Sequence, residues 1–219
     1  YAGRSVPYRR TALTSFVAYA IGNNVGISAL SGGAVRYRMY SVLGMSAGDI
    51  GKIIIFTSVT FSLGAALLIG ISLLFIPSFV VAVVPAPIWL LRVAAVLLLA
   101  FPVIYFVGTL LRWEGLQIGN WRLQLPSPSL AVAQFGLSIA DLTFAAATLY
   151  VLLAAHTDIS FIYFLGIFLL AIAAGIISSV PGGIGGFEVV LLTALPNIDR
   201  SILLSTIIIY RLVYYIAPL

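Results

Sequence analysis

Several charged residues lie inside or next to long apolar stretches of this sequence, where an unpaired charge is costly. The candidates for chemistry among them are Arg36, Arg38, Asp141, Glu188 and Arg211. An arginine guanidinium fits a phosphate through two parallel hydrogen bonds, so Arg36 and Arg38 are the best candidates for binding an anion. Glu188 is a candidate for binding a cationic amine, or alternatively an acid that satisfies the dipole of a following helix.

Asp141 falls near the middle of an apolar run at 129–155. A carboxylate at the centre of a bilayer costs at least about 2.5 kcal/mol on insertion scales. We therefore expect Asp141 to face a cavity or to pair with a base, and Arg211 is the candidate partner. A role in function and a purely structural ion pair both fit the sequence.

The spacing of Arg36 and Arg38 leaves two interpretations open. On a helix the two side chains would point about 200° apart, so only one could reach a given lipid headgroup, whereas in an extended segment both could. Alternatively, the pair only fixes the topology of the chain, as positive charge on the cytoplasmic side of a membrane.

Two glycine-rich segments adjoin these charges. The first holds Asn23, Asn24, Gly26, Ser31, Gly32 and Gly33 and continues to Tyr40, and the second holds Pro181, Gly182, Gly183 and Gly185. Glycine at this density predicts an unwound helix whose freed backbone groups line a cavity, as in transporters with broken helices. Aligning the two segments on their Gly-Gly pairs also indicates an internal repeat, although Gly-Gly arises at helix ends by chance as well.

The rest of the sequence must supply the helices that position these segments. Apolar runs of about 20 residues predict membrane-spanning helices, because barrel strands need only about 9 to 11 alternating residues. The predicted spans are 11–30, 50–76, 88–111, 129–155, 159–180 and 201–219, with a polar loop at 112–128. We predict a single all-α, polytopic transmembrane helix bundle over 1–219 with one or two broken or re-entrant helices, and both ends read as cuts in a longer chain.

The stretch 11–30 either spans the membrane or enters and leaves it on one side. A full span would place the arginines before and after it on opposite sides. A hairpin broken at Asn23-Asn24 would place them together, which the positive-inside rule favours.

The composition excludes several classes of protein. Hydrophobic residues make up 62% of the chain and charged residues 8%, against about 25% charged in a soluble domain. The net charge of +5 fits anionic phospholipid better than nucleic acid, because no basic run is interleaved with aromatic residues. Without cysteine, and with one histidine, no metal site is expected. We recognise no catalytic motif, so no catalytic residue or cofactor is assigned.

The two glycine-rich segments resemble a known family. The run from Ser31 to Tyr40, SGGAVRYRMY, preceded by NNVG, is similar to the N-terminal membrane domain of the multiple peptide resistance factor. The run PGGIGGFE, from Pro181 to Glu188, is similar to the second Pro-Gly-Gly motif of that family. The likeness extends over nearly the whole chain, and the two motifs in this order are fairly specific.

The resemblance implies a multi-pass protein of the bacterial inner membrane with two activities. A C-terminal soluble synthase domain, an aminoacyltransferase, transfers an amino acid such as lysine to phosphatidylglycerol. The membrane domain is a flippase that moves lysyl-phosphatidylglycerol outward, giving resistance to cationic antimicrobial peptides. The chain would be the flippase portion. Its partners would be phospholipid and the synthase domain, with a homodimer left open. The headgroup would contact Arg36, Arg38, Tyr40, Asp141, Glu188 and Arg211.

Two other functions remain open from the sequence. A secondary transporter of a small solute would use Asp141 for proton coupling. A membrane scaffold would only anchor the aminoacyltransferase domain. Mutation of Arg36, Asp141 or Glu188 would then affect only stability or lipid synthesis.

Overall fold

A computed structural model describes residues 6–24, 28–75, 80–81, 83–84, 86–113, 116–118, 121–178 and 180–218. Within these ranges the chain is almost entirely helical, and the predicted all-α membrane bundle is confirmed. The helices are α1 (Tyr8–Asn24), α2 (Ser28–Ser41), α3 (Ala47–Phe75), α4 (Ile88–Leu110), α5 (Pro128–Leu153), α6 (Phe161–Ser178), α7 (Gly186–Ala194) and α8 (Arg200–Arg211). The predicted loop at 112–128 contains a small antiparallel hairpin of β1 (Leu116–Ile118) and β2 (Trp121–Leu123).

Four helices among the described residues are long and apolar enough to cross a bilayer. They are α3, α4, α5 with its short continuation to His156, and α6. Their many exposed apolar side chains suit contact with lipid rather than water. These helices lie within a few residues of the predicted spans 50–76, 88–111, 129–155 and 159–180.

Polar side chains join three of the long helices inside the bundle. The Tyr105 hydroxyl of α4 donates to Gln134 Oε1 of α5 at 2.7 Å. The Gln134 amide donates to Thr60 Oγ1 of α3, also at 2.7 Å. One helical turn further along α5, the Ser138 hydroxyl donates to the Phe61 carbonyl of α3 at 3.2 Å. Because lipid offers no substitute partner, such bonds fix the register between the helices.

The largest core cluster lies where α5, α6, α7 and α8 meet. Phe164 and Phe168 of α6 are fully buried, and Phe187 of α7 and Tyr210 of α8 pack against Phe168 with nearly perpendicular rings. Helix α7 has nine residues, or about 14 Å of length, so it cannot cross a hydrocarbon core of about 30 Å. Helices α7 and α8 are joined by a short turn and contact each other as a hairpin, in which α7 packs on α6 and α8 packs on α5.

The first glycine pair does not break a helix. Ser31, Gly32 and Gly33 lie inside α2, so the predicted unwinding at these residues is wrong. A Cβ on Gly32 would lie 2.9 Å from the Ala18 carbonyl oxygen of α1. Gly32 is thus needed for the close approach of two helices, as small residues often are in membranes. Helices α1 and α2 pack on each other, and Gly26 falls outside the described residues.

The two glycine pairs also differ in backbone conformation. Gly32 and Gly33 are α-helical, whereas Gly182 and Gly183 have φ angles of 66° and 65°. The predicted internal repeat therefore gains no support at the residues that the alignment superimposes.

Asp199 caps the amino end of α8 and provides a test by pH. Its carboxylate accepts hydrogen bonds from the Ser201 hydroxyl and from the amides of Ser201 and Ile202, which hold its pKa below the usual value. A lowered folded-state pKa gives stability above the unfolded pKa of about 3.9, and this is lost as pH falls through the folded value. We expect Asp199→Ala to lower the thermal unfolding temperature at pH 7, by a difference that shrinks below about pH 4.

Exposed Asp158 provides the control, because no described residue forms a hydrogen bond with its side chain. The unfolding temperature of Asp158→Ala should follow that of the wild type at each pH. A deficit in Asp199→Ala that stays constant down to pH 3 would contradict the capping role.

Candidate functional site

The Pro-Gly-Gly turn connects α6 to α7 through a backbone that favours glycine. Gly182, Gly183 and Gly185 have φ angles of 66°, 65° and 91°, a region in which side chains with a Cβ are strained. A Cβ on Gly183 would also lie 3.1 Å from the Gly175 Cα of α6. The turn is therefore held close against the end of α6, and this second predicted helix break is observed.

Arg211 joins the turn to α7 and α8. Its Nε and Nη2 donate to Glu188 Oε1 at 2.9 and 2.5 Å, and its Nη1 donates to the Gly182 carbonyl at 2.8 Å. The second oxygen of Glu188 accepts from the Gly185 amide at 2.7 Å. We call Gly182, Gly185, Glu188 and Arg211 the Pro-Gly-Gly centre.

The ion pair of the centre is mostly shielded by aromatic rings. The side chains of Arg211 and Glu188 are 19% and 18% exposed. The guanidinium lies 5.8 Å from the centre of the Phe187 ring and 5.6 Å from that of Tyr215, within the range of cation–π attraction. A mostly buried pair of this kind is sensitive to the loss of either partner.

The end of α1 reaches the same region of the bundle. Asn24 Nδ2 donates to the Tyr215 carbonyl at 2.8 Å, and the hydroxyls of Tyr19 and Tyr214 are 2.8 Å apart. The backbone from Leu212 to Ile216 continues α8 as a π-helix, a rare form that is frequent at functional sites. The structure thus brings Asn24 of the first segment next to the second segment. The side chain of Asn23 lies outside the described residues.

Asp141 occupies the middle of α5 and is exposed. Among the described residues none forms a hydrogen bond with its carboxylate. Helix α5 packs against α8, which carries Tyr210 and Arg211. The predicted pairing with Arg211 is wrong, because the nitrogen atoms of Arg211 bond to Glu188 and Gly182. Asp141 therefore keeps its capacity to bind a cation, on a helix that packs against the α8 helix of Arg211.

Arg38 lies in a different place, at the far end of the α1–α2 hairpin. It lines a groove of about 430 Å³, which we call the arginine groove, formed by Arg10, Leu13, Thr14, Arg38, Met39, Val42 and Leu43. Arg10 and Asn24 are fourteen residues apart on α1, or about 21 Å along the helix. The groove and the Pro-Gly-Gly centre are thus separate, and Arg38 is not brought to Asp141 or Glu188.

Arg36 and Tyr40 of α2 point elsewhere again. Arg36 is half-buried, and its Nη1 is 3.5 Å from the Gly32 carbonyl of its own helix. Tyr40 is 2% exposed and packs with Met45 and Ile50. The predicted headgroup contact of Tyr40 does not fit this burial. Because α2 is helical, the arrangement in which Arg36 and Arg38 act on one lipid from an extended segment is also wrong.

Sequence reasoning missed several residues of these regions. Arg10 was visible only as a terminal positive charge, and its place opposite Arg38 depends on how α1 and α2 pair. The tyrosines at 19, 214 and 215 gave no signal, because tyrosine is common wherever a helix meets an interface.

Comparison with known protein families shows the family to which the chain belongs. The profile of the family described as the lysylphosphatidylglycerol synthase TM region matches residues 1–219. The chain belongs to this family. The family expected from the two motifs is thereby confirmed, and the protein is a multi-pass membrane protein.

Two relatives match the whole chain. One is the "Uncharacterized protein slr0712" of Synechocystis, which is 38% identical over 220 residues; the match covers 68% of that protein's length. The other is the "Inner membrane protein YbhN" of Escherichia coli, which is 30% identical over 229 residues; the match covers 69% of that protein's length. A phosphatidylglycerol lysyltransferase of Staphylococcus epidermidis is 40% identical over 78 residues, which is 34% of this chain and 9% of the enzyme. The chain is thus related to a small part of these enzymes.

Proposed function

We propose that this protein translocates aminoacylated phosphatidylglycerol, such as lysyl-phosphatidylglycerol, between the leaflets of the bacterial inner membrane. The main support is the Pro-Gly-Gly centre, a mostly buried ion pair on a broken helix. A second support is Asp141, a mid-span carboxylate of α5, the helix that packs against α8. Membership of a family described by the synthesis of this lipid supports the choice of substrate.

The chemistry of the headgroup matches the groups present. Lysyl-phosphatidylglycerol carries one anionic phosphate and two ammonium groups, which cannot cross apolar lipid without partners. Arg211 could bind the phosphate, while Glu188 and Asp141 bind the ammonium groups. The headgroup would replace the Arg211–Glu188 pair with an Arg211–phosphate pair and a Glu188–ammonium pair. Asp141 would pair with the second ammonium group, so no charge would be left uncompensated.

The broken helix gives this exchange a place to occur. The Gly182 carbonyl already accepts a hydrogen bond from Arg211, and the Gly185 amide already donates to Glu188. Both backbone groups are freed by the turn, and both are suited to hydrogen-bond a headgroup once the ion pair opens. The phosphate role first predicted for Arg36 or Arg38 thus passes to Arg211.

In the cell, the lipid must be made on one side of the membrane and moved to the other. A soluble aminoacyltransferase domain, in the same parent protein or another, would supply the lipid from the cytoplasmic side. Outward movement would lower the negative charge of the outer surface and weaken the binding of cationic antimicrobial peptides.

A leaflet assay tests the proposal. In cells that express the parent protein and make lysyl-phosphatidylglycerol, lipid amines of the outer leaflet are labelled with an impermeant reagent. For Asp141→Asn we expect outer labelling to fall about tenfold, equivalent to ~1.4 kcal/mol, while total aminoacyl lipid stays unchanged. Asp158→Asn, an exposed carboxylate outside the site, should label as the wild type does.

Two other outcomes would replace the proposal. If total aminoacyl lipid falls in step with outer labelling, the membrane domain supports synthesis as a scaffold. If labelling is unchanged in Asp141→Asn, while proteoliposomes take up a soluble solute, a secondary transporter is the better description.

A further inference from the structure

The arginine groove is not used by the proposed function, and it has the features of a second site. Two helices contribute one arginine each: Arg10 from the first turn of α1 and Arg38 from the last turn of α2. Both side chains are exposed. Both ion pairs found in the described part of the chain lie elsewhere, at Asp49–Lys52 and Glu188–Arg211. The two guanidinium groups therefore have positive charge that no described carboxylate neutralises.

The walls of the groove are apolar and open to the surroundings. Leu13 is 56% exposed and Val42 is 83% exposed, and Met39 and Leu43 complete the lining. Exposed leucine and valine next to two arginines suit a molecule that is anionic at one end and hydrocarbon at the other. A soluble phosphate compound would leave this apolar surface uncovered.

We propose that the arginine groove binds an anionic diacyl phospholipid such as phosphatidylglycerol, with the phosphate diester between Arg10 and Arg38 and an acyl chain along Leu13 and Val42. Guanidinium groups bind phosphate oxygens through paired hydrogen bonds. Positive charges at one end of a membrane hairpin also mark the side where anionic lipid headgroups are concentrated.

The charge of the groove also selects between lipids. Among the described lining residues, the groove offers two cations and no carboxylate. It should therefore favour a lipid with a net negative charge over its lysylated form, whose ammonium groups would face the arginines. Under the proposed function the Pro-Gly-Gly centre would have the opposite preference, because it carries the carboxylate of Glu188. The two sites would thus separate the unmodified lipid from the aminoacylated one, about 20 Å apart along α1.

Binding of labelled lipid to the purified protein in zwitterionic nanodiscs tests this inference without any transport step. Spin-labelled phosphatidylglycerol is titrated, and the immobilised fraction is measured. We expect Arg10→Gln/Arg38→Gln to weaken binding about tenfold. Arg10→Lys/Arg38→Lys should fall between the two, because lysine keeps the charge without the planar fork. Arg9→Gln is the matched control, since Arg9 has the same charge on the same helix but does not line the groove.

Each outcome decides the inference. Equal loss in Arg9→Gln would show diffuse surface attraction and would overturn it. So would equal binding of spin-labelled phosphatidylcholine, or equal binding of lysyl-phosphatidylglycerol. Competition by millimolar glycerol phosphate would show that a soluble headgroup suffices and that no lipid site exists. Because the leaflet assay is independent, the groove can fail while the proposed transport at the Pro-Gly-Gly centre stands.

Discussion

Replacing Arg211 with glutamine is expected to destabilise the protein by about 3 kcal/mol. The substitution leaves Glu188, a carboxylate that is 18% exposed, without its cation. It also removes the bond from Nη1 to the Gly182 carbonyl, which holds the turn to α8. The midpoint of unfolding in a denaturing detergent measures the change.

A double-mutant cycle separates the ion pair from its surroundings. Glu188→Gln alone should also destabilise, and the double variant should be less destabilised than the sum of the two, with a coupling energy of about 1 kcal/mol or more. Arg200→Gln is the control, because Arg200 is an exposed arginine of the same helix. Additive single effects would contradict the view that the pair acts as one unit.

The long helices of this protein were readable from the sequence because lipid imposes a simple rule. An uninterrupted apolar run must satisfy its backbone internally, so α3 was predicted at 50–76 and observed at Ala47–Phe75. Boundaries differ by a few residues because caps decide them. Ser127, for example, accepts from the Leu130 amide and starts α5 at Pro128.

The sequence does not show in the same way whether a glycine pair breaks a helix. Gly-Gly at 32–33 and at 182–183 looks identical in sequence, but only the second pair breaks a helix. The difference lies in the neighbours. Pro181 removes a backbone donor just before the second pair, whereas Gly32 meets the Ala18 carbonyl of another helix. Such a contact depends on tertiary packing, which a single sequence does not contain.

The predicted ion pair between Asp141 and Arg211 was wrong for a related reason. Asp141 and Arg211 both lie inside apolar runs, so each was expected to need a partner of opposite charge. In the structure the short α7–α8 hairpin brings Glu188 to Arg211 instead. Because 201–219 was predicted as a separate membrane span, the hairpin of α7 and α8 was not foreseen. In the structure α8 ends at Arg211, and a π-helix follows. The pairing of Glu188 with Arg211 thus depends on where the chain reverses between α7 and α8, and the apolar content of the sequence does not show that position.

The close packing of α3 on α5 leads to the second large expected effect. A Cβ on Gly64 would clash first with the Ser138 Oγ, and it would lie 2.6 Å from the Ser138 Cβ and 3.0 Å from the Ser138 carbonyl carbon. Gly64→Ala must therefore push the two spans apart and disturb the bond from Ser138 to the Phe61 carbonyl. We expect a loss of about 2 kcal/mol in the free energy of unfolding, measured by the same detergent titration.

Three further variants decide whether this loss comes from the contact with Ser138 or from replacing any helical glycine. Gly136 also lies in a spanning helix, but a Cβ there would meet no atom within 4 Å. Gly136→Ala should therefore be neutral or stabilise by about 0.5 kcal/mol. Adding Ser138→Ala to Gly64→Ala removes the Oγ, the nearest atom, so it should restore part of the stability. Adding Ser138→Gly also removes the Cβ and should relieve the contact further. If neither addition restores any stability, the backbone of α5, and not the Ser138 side chain, sets the distance between these helices.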